Sequence, residues 1–337
     1  MIRRFVAAAA LGAALTALPP TTENAAAEDF VPAILFDMGG KFDKSFNEAA
    51  YNGAERFKKE TGIAYREFEI TNEAQRTQAL QRLARRGSGG LGANIVVAIG
   101  FAFTTPLTQI AKEFPDTKFV IIDSVVDAPN VQSIVFREHE GSFLVGMVAA
   151  MATKTGKVGF VGGMDIPLIR KFALGYVEGA KHVTANIEVF QNMTGTTPSA
   201  WNDPTKGGEL ARSQFDRGAD VIYAAAGATG LGVLQAAKDS GKYSIGVDSN
   251  QNYLHPGSVL TSMIKRVDVA VYNAVKTARE GTWKSGMSSL GLAEDGVGYA
   301  IDDNNRKLIT PDMEAKVDAA RKDIIAGKIK VTDYTAR

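Results

Sequence analysis

From residue 31 onward the chain alternates short apolar runs rich in Val, Ile and Phe with helical patterns. No other feature constrains the fold as strongly, because continuous apolar strands separated by helices belong to a parallel sheet covered on both faces. Two such series follow one another. The first places strands at 31–38, 64–70, 94–100, 118–123 and 131–136, with helices near 45–60, 72–86 and 105–113. Ser45 and Glu48 have capping-box spacing at the first of these helices. The second series places strands at 157–163, 187–192, 220–226, 243–248 and 259–265, with helices near 167–183, 205–217 and 231–240. Each series has the size of one domain.

One helix, 140–155, separates the two series, so a crossover is expected near 136–138. After residue 265 the pattern gives a helix at 268–280, a strand at 296–302 and a charged helix at 311–326, too little for a third domain. These segments must complete the first two. The expected fold class is α/β, with two doubly wound parallel-sheet lobes joined by a multi-segment hinge. The expected boundaries are 28–137 plus about 252–285 for the N-terminal lobe and 138–251 plus about 286–337 for the C-terminal lobe. Ligands of such a molecule bind in the cleft between lobes.

Composition removes several function classes. Thirty-eight basic residues against 37 acidic ones leave no electrostatic footprint for nucleic acid. The absence of cysteine removes disulfides, thiolate nucleophiles and cysteine metal ligands together. The three histidines, His139, His182 and His255, stand apart from one another and read as surface residues. Residues 1–27 read as a cleaved signal peptide: Arg3 and Arg4, an apolar run from Phe5 to Leu18, and Ala25-Ala26-Ala27 before Glu28. The expected product is exported to the periplasm, and without cysteine it has no attachment point for a lipoprotein's diacylglycerol.

The familiar enzyme motifs are missing. Gly227-Ala-Thr-Gly230-Leu-Gly232 follows a strand and opens a helix, but its order is not the dinucleotide fingerprint G-x-G-x-x-G. Gly40-Lys41 and Gly241-Lys242 are followed by Phe42 and Tyr243, so neither is a P-loop, and the glycine-rich stretch 87–92 reads as a surface loop. There is no G-x-S-x-G elbow and no H-E-x-x-H. No catalytic residue, metal or cofactor is expected.

What remains points to a ligand. Asp37, Asp123 and Asp248 end predicted strands, where open parallel sheets bind ligands; each alone could instead cap the helix that follows. Phe46, with Asn47 beside it, falls in the first turn of one helix, and Phe172 lies early in another after Gly162-Gly163. Each ring could simply staple its helix to the sheet. Together, one aromatic per lobe could close on one flat ring.

The segments DKSFNEAAYNGAERF (43–57), EGSFLVGMVAA (140–150), KVGFVGGMDIPLIRKFALGYVEGAK (157–181), GVDSNQ (246–251) and TSMIKRVDVAVY (261–272) closely resemble the basic membrane protein family. That family comprises PnrA-like substrate-binding proteins of ABC transporters for purine nucleosides. The resemblance runs in order over essentially the whole mature chain and implies a type I periplasmic-binding-protein fold. It further implies that Phe46 and Phe172 sandwich a purine and that Asp37 and Asp123 meet the base edge with Asn47 nearby. Asp248 and Lys265 would then meet the ribose hydroxyls, and Gly227 would allow close backbone approach. The partners it implies are adenosine, guanosine or inosine and an ABC permease in the inner membrane, with the protein a monomer. Many relatives are lipoproteins, and this chain departs from them in having no cysteine. The chemistry is coherent: rings stack on a flat base, and a vicinal diol donates to a carboxylate and accepts from an ammonium. Two alternatives use similar residues: binding of a free sugar such as a pentose, and a nucleoside-cleaving enzyme. A cytosolic ligand-sensing regulator is disfavoured by the leader and by the lack of room for a DNA-binding headpiece.

Overall fold

The first strand, β1 (Pro32–Phe36), is buried at every position, as a strand covered on both faces must be. It opens the part of the molecule that carries the cleft, a compact unit over residues 31–337. The computed structural model describes residues 1–2, 30–85 and 89–336. The expected leader beyond residue 2 and part of the 87–92 loop lie outside the described residues.

After β1 come α1 (Phe46–Thr61), β2 (Arg66–Glu69), α2 (Gln75–Ala84), β3 (Ile95–Ile99), α3 (Thr104–Glu113), β4 (Lys118–Ile122) and β5 (Val131–Phe136). The chain then continues through α4 (Glu138–Ala152), β6 (Lys157–Met164), α5 (Pro167–Val183), β7 (Glu188–Gly195), α6 (Pro204–Asp216), β8 (Val221–Ala225), α7 (Thr229–Asp239) and β9 (Tyr243–Asp248). It ends with β10 (Val259–Lys265), α8 (Val267–Arg279), β11 (Gly286–Leu290), β12 (Val297–Tyr299) and α9 (Pro311–Ile325).

Among the described residues these strands form two six-stranded sheets, ordered β2-β1-β3-β4-β5-β11 and β7-β6-β8-β9-β10-β12. The first is parallel throughout, and the second is parallel except for β12. The two orders are the same doubly wound pattern used twice, with the order reversing at β1/β3 and at β6/β8. At such a reversal the neighbouring loops part and leave a crevice at the carboxyl ends of the strands.

The hinge differs from the sequence-based boundaries. β10 lies in the second sheet, although 252–285 was assigned to the N-terminal lobe, and β11 lies in the first sheet, although 286–337 was assigned to the other. Three segments therefore cross: one at Arg137, one at Arg266 and one after Leu290. β11 escaped the sequence reading because GMSSL carries almost no apolar signal; among the described residues it is an edge strand that pairs only through β5. Backbone bonds from Arg137 N–H to Leu290 O (2.9 Å) and from Arg266 N–H to Gly296 O (2.9 Å) tie the crossings together. α8, just beyond the second crossing, packs on α1 so closely that a Cβ at Gly53 would lie 2.2 Å from the Asp268 carbonyl oxygen.

Two local expectations are corrected. Ser45 does not form a capping box: its side chain makes no cap at α1. Asp43 caps instead, accepting from the backbone N–H groups of Ser45, Asn47 and Glu48 at 2.8–3.1 Å. A carboxylate three residues before the helix reaches three of the free donors at once, which leaves the serine hydroxyl unused locally. His139 is not on the surface but buried, because α4 is enclosed along almost its whole length; burial holds its imidazole below the usual pKa. Among the described residues, no helix is long and apolar enough to cross a membrane.

Candidate functional site

The carboxyl ends of both sheets face one cleft with about 610 Å³ of space free of protein atoms, part of it open to solvent, within the range of small-molecule sites. All eight residues singled out from the sequence line it: Asp37, Phe46, Asn47, Asp123, Phe172, Gly227, Asp248 and Lys265. The first four come from the β1, α1 and β4 region of the first lobe. The others come from α5 and from the ends of β8, β9 and β10 in the second.

Lys265, the last residue of β10, stands at the centre. Its Nζ lies 2.6 Å from Asp123 Oδ2 and 3.0 Å from Glu138 Oε1. The same nitrogen is 5.1 Å from the centroids of the Phe46 and Phe136 rings and 5.5 Å from that of Phe172. Phe46 and Phe172 thus flank a common point from opposite lobes, at cation–π range from one ammonium. Burial alone would pull the Lys265 pKa down, but the charges of Asp123, Glu138 and Asp248 outweigh it and raise it. An ammonium has three donors; one bonds Asp123 Oδ2 and Glu138 is an ion-pair neighbour rather than a hydrogen-bond partner, so at least one remains for a ligand.

Asp123 and Asp248 occupy equivalent places in the two lobes, at the ends of the fourth strand of each doubly wound pattern. Both adopt left-handed backbone conformations, φ 69° and 63°, an uncommon state that aspartate tolerates better than most residues. The turn aims each carboxylate into the cleft. Burial pushes the Asp123 carboxyl up, against the pull of Lys265. Burial pushes Asp248 up to about 6, again against Lys265 and against the hydrogen bond it accepts from Ser45. Asp123 Oδ1 is buried without a hydrogen-bond partner among the described residues, an acceptor whose desolvation is uncompensated until a donor arrives.

Asp37 is more engaged than the sequence suggested. Arg76, buried on α2, donates to Asp37 Oδ1 from Nη2 at 2.7 Å and from Nε at 3.2 Å. Burial still raises the Asp37 carboxyl despite that charge. Asn47 is likewise committed: its Oδ1 accepts from the Asp37 backbone N–H at 3.1 Å and its Nδ2 donates to Asp43 at 3.1 Å. It keeps one amide hydrogen for a ligand. Gly227 has φ 57° and lies against Trp201, so a side chain there would meet both backbone strain and the cleft wall.

Several residues of the site escaped the sequence reading. Trp201, in the loop between β7 and α6, forms part of the wall and packs edge-on against Phe101 of the other lobe, with centroids 6.4 Å apart at 64°. A Cβ at Gly163 would lie 2.2 Å from the indole, so that glycine makes room for the ring. Glu138, fully buried, holds Lys265 and also Lys171, whose Nζ is 2.9 Å from Oε2. Burial would raise the Glu138 carboxyl, but the two lysine charges keep it below the usual range. The only signals available were that Trp201 is one of two tryptophans and that Glu138 sits at the expected crossover. Neither identifies a partner.

The family model for ABC transporter substrate-binding proteins of the PnrA-like type, Bmp, matches residues 30–335. The chain belongs to this family. A lipoprotein of Pyrococcus horikoshii named only as uncharacterized is 40% identical over 282 residues, 79% of this chain and 68% of its own length. Basic membrane protein A of Borreliella afzelii is 33% identical over 316 residues, 90% of this chain and 92% of its own. A solved structure described as an ABC transporter solute-binding protein, from Aeropyrum pernix, superposes with a TM-score of 0.82 at 31% identity, covering 91% of this chain and 96% of that one. The PnrA-like chain therefore has the type I periplasmic-binding-protein fold, and its family binds solutes outside the cytoplasm for delivery to a membrane permease. The Pyrococcus relative's name as a lipoprotein runs against the expectation of an unanchored product.

Proposed function

We propose that this PnrA-like protein captures purine nucleosides in the interlobe cleft, releases them unaltered to an ABC permease, and works as a periplasmic monomer. The observation that carries the reading is the placement of Phe46 and Phe172, one from each lobe, around the same ammonium and the same buried carboxylates. A purine offers two flat faces to such rings and an edge of donors to the unpartnered Asp123 Oδ1. Asp248 and a remaining hydrogen of Lys265 suit a ribose diol, one accepting and one donating. Because the halves of the site lie on different lobes, bound ligand favours the lobes together, and a permease can read that difference.

A thermal-shift panel tests the reading. A ligand present at 100 times its Kd adds about 2.7 kcal/mol of stability, so adenosine, guanosine or inosine should raise Tm clearly. Stabilisation by ribose or galactose with none by the nucleosides would move the assignment to a sugar. Release of hypoxanthine from inosine above a protein-free blank would move it to an enzyme.

A further inference from the structure

Ser45 belongs to the sequence DKSFN but is not among the residues that line the cleft. It is fully buried, and Asp43 has taken over the capping that its spacing predicted. Its backbone, φ −137° and ψ −114°, departs from the helix and turns the hydroxyl across the cleft. There Oγ donates to Asp248 Oδ2 at 2.5 Å, with the Val247 carbonyl 3.4 Å away.

Two more bonds join the same segments. Ser249 Oγ donates to the Ser45 carbonyl at 2.8 Å, and Gln251 Nε2 donates to the Lys44 carbonyl at 3.0 Å. Gln251 is itself fixed, its Oε1 accepting from Val247 N–H at 2.9 Å and its backbone N–H donating to Ser262 Oγ at 2.9 Å. The turn that opens α1 in the first lobe is thus bonded to the turn that ends β9 in the second, and the residue after Ser45 is Phe46.

We propose that Ser45 is a positioning residue for ligand capture: its hydroxyl fixes the Asp248 carboxylate and latches the lobes together over the bound ligand. Resting on the nucleoside reading for its ligand, the latch accounts for a buried hydroxyl that points away from its own helix. It also links closure to the group expected to hold the ribose: opening the lobes breaks the Ser45 bond and frees Asp248 to reorient. A hydrogen bond to a charged group is among the stronger ones, so its loss should speed ligand escape while leaving encounter unchanged.

The test is Ser45→Ala with inosine as the probe, read by stopped-flow kinetics. The expected result is a dissociation rate about ten- to a hundredfold higher with an unchanged association rate. Combined with Asp248→Ala, the serine variant should add little further loss, since both act through one bond. An unchanged dissociation rate, or fully additive losses, overturns the proposal. If Ser45→Ala does not fold, Ser249→Ala removes the donor to the Ser45 carbonyl and must show the same kinetic pattern more weakly.

The natural absence of cysteine provides a readout that does not depend on the nucleoside. Spin labels at Lys59→Cys and Lys238→Cys, on exposed positions of α1 and α7, report the distance between lobes. If adenosine, guanosine and inosine all fail to bind the wild-type protein, the nucleoside reading falls. The latch is then judged on the ligand-free protein, where Ser45→Ala must shift the distances toward open forms; identical distributions overturn it.

Discussion

The Lys265 ammonium of the second lobe lies 2.6 Å from the Asp123 carboxylate of the first, with 2% and 6% of the two side chains exposed. This buried pair spans the cleft close to two hinge segments, since Lys265 immediately precedes the crossing at Arg266 and Glu138 immediately follows the one at Arg137. Removing the ammonium would strand Asp123 and Glu138 as neighbouring buried carboxylates.

Lys265→Met should therefore destabilise the ligand-free protein by about 3–5 kcal/mol, the usual cost of leaving a buried charge without its partner, and should abolish nucleoside binding. Asp123→Asn leaves Lys265 paired with Glu138 and should cost clearly less stability. Denaturant unfolding of the two variants checks the order; a Lys265→Met protein as stable as wild type would show that the pair does not hold the site.

Phe172→Ala should weaken purine nucleoside binding by about 1–3 kcal/mol, the worth of one base–aromatic stack, or roughly ten- to a hundredfold in Kd. Phe46→Ala should do the same from the other lobe. Calorimetric titration decides, and unchanged affinity in either variant removes that ring from the site.

Binding should weaken as the solution is acidified from pH 7 to 5. Burial raises Asp248 to about 6, and a hydroxyl donor from the ligand favours the ionised form and lowers that value, so binding near pH 6 releases a proton. Titrations in buffers of different ionisation enthalpy measure the release. For stability the sign is opposite: a carboxyl raised on folding contributes stability that is fully present below its unfolded value, 3.8 in the reference state, and is lost as pH rises toward 6. Affinity independent of pH across this window would exclude an ionising Asp248 from the contact.

Trp201 should report closure. In a Trp283→Phe background it is the single remaining tryptophan, and its edge contact with Phe101 crosses between lobes. Nucleoside binding should change its emission, and Gly163→Ala, whose Cβ would meet the ring at 2.2 Å, should weaken binding by displacing it. Emission that is insensitive to saturating ligand would contradict the cross-cleft role.

The doubly wound lobes were legible because buried parallel strands such as PAILF in β1 and IVVAI in β3 have no polar face to blur the pattern. The eight cleft residues were legible because strand ends and helix starts are where such folds place ligands, and because DKSFN and GGMDIPLIRKF carry a family resemblance. Side-chain partnerships were not. Ser45 carried a capping signal, but Asp43 was equally able to cap and did so; Glu138 looked like an ordinary acidic residue at a helix start; Arg76 lies a helix away from the Asp37 it neutralises. Such pairings are decided by tertiary distance, which no local spacing encodes. The assignment of β11 failed for a related reason: a polar edge strand is chosen by its neighbour rather than by its own sequence.

The central claim is that a flat base is held between Phe46 and Phe172 across the cleft and leaves unchanged. A crystal structure grown with inosine tests it most directly. The account predicts the base between the two rings, the ribose against Asp248 and Lys265, and an intact glycosidic bond; density outside the cleft, or a cleaved nucleoside, would contradict it.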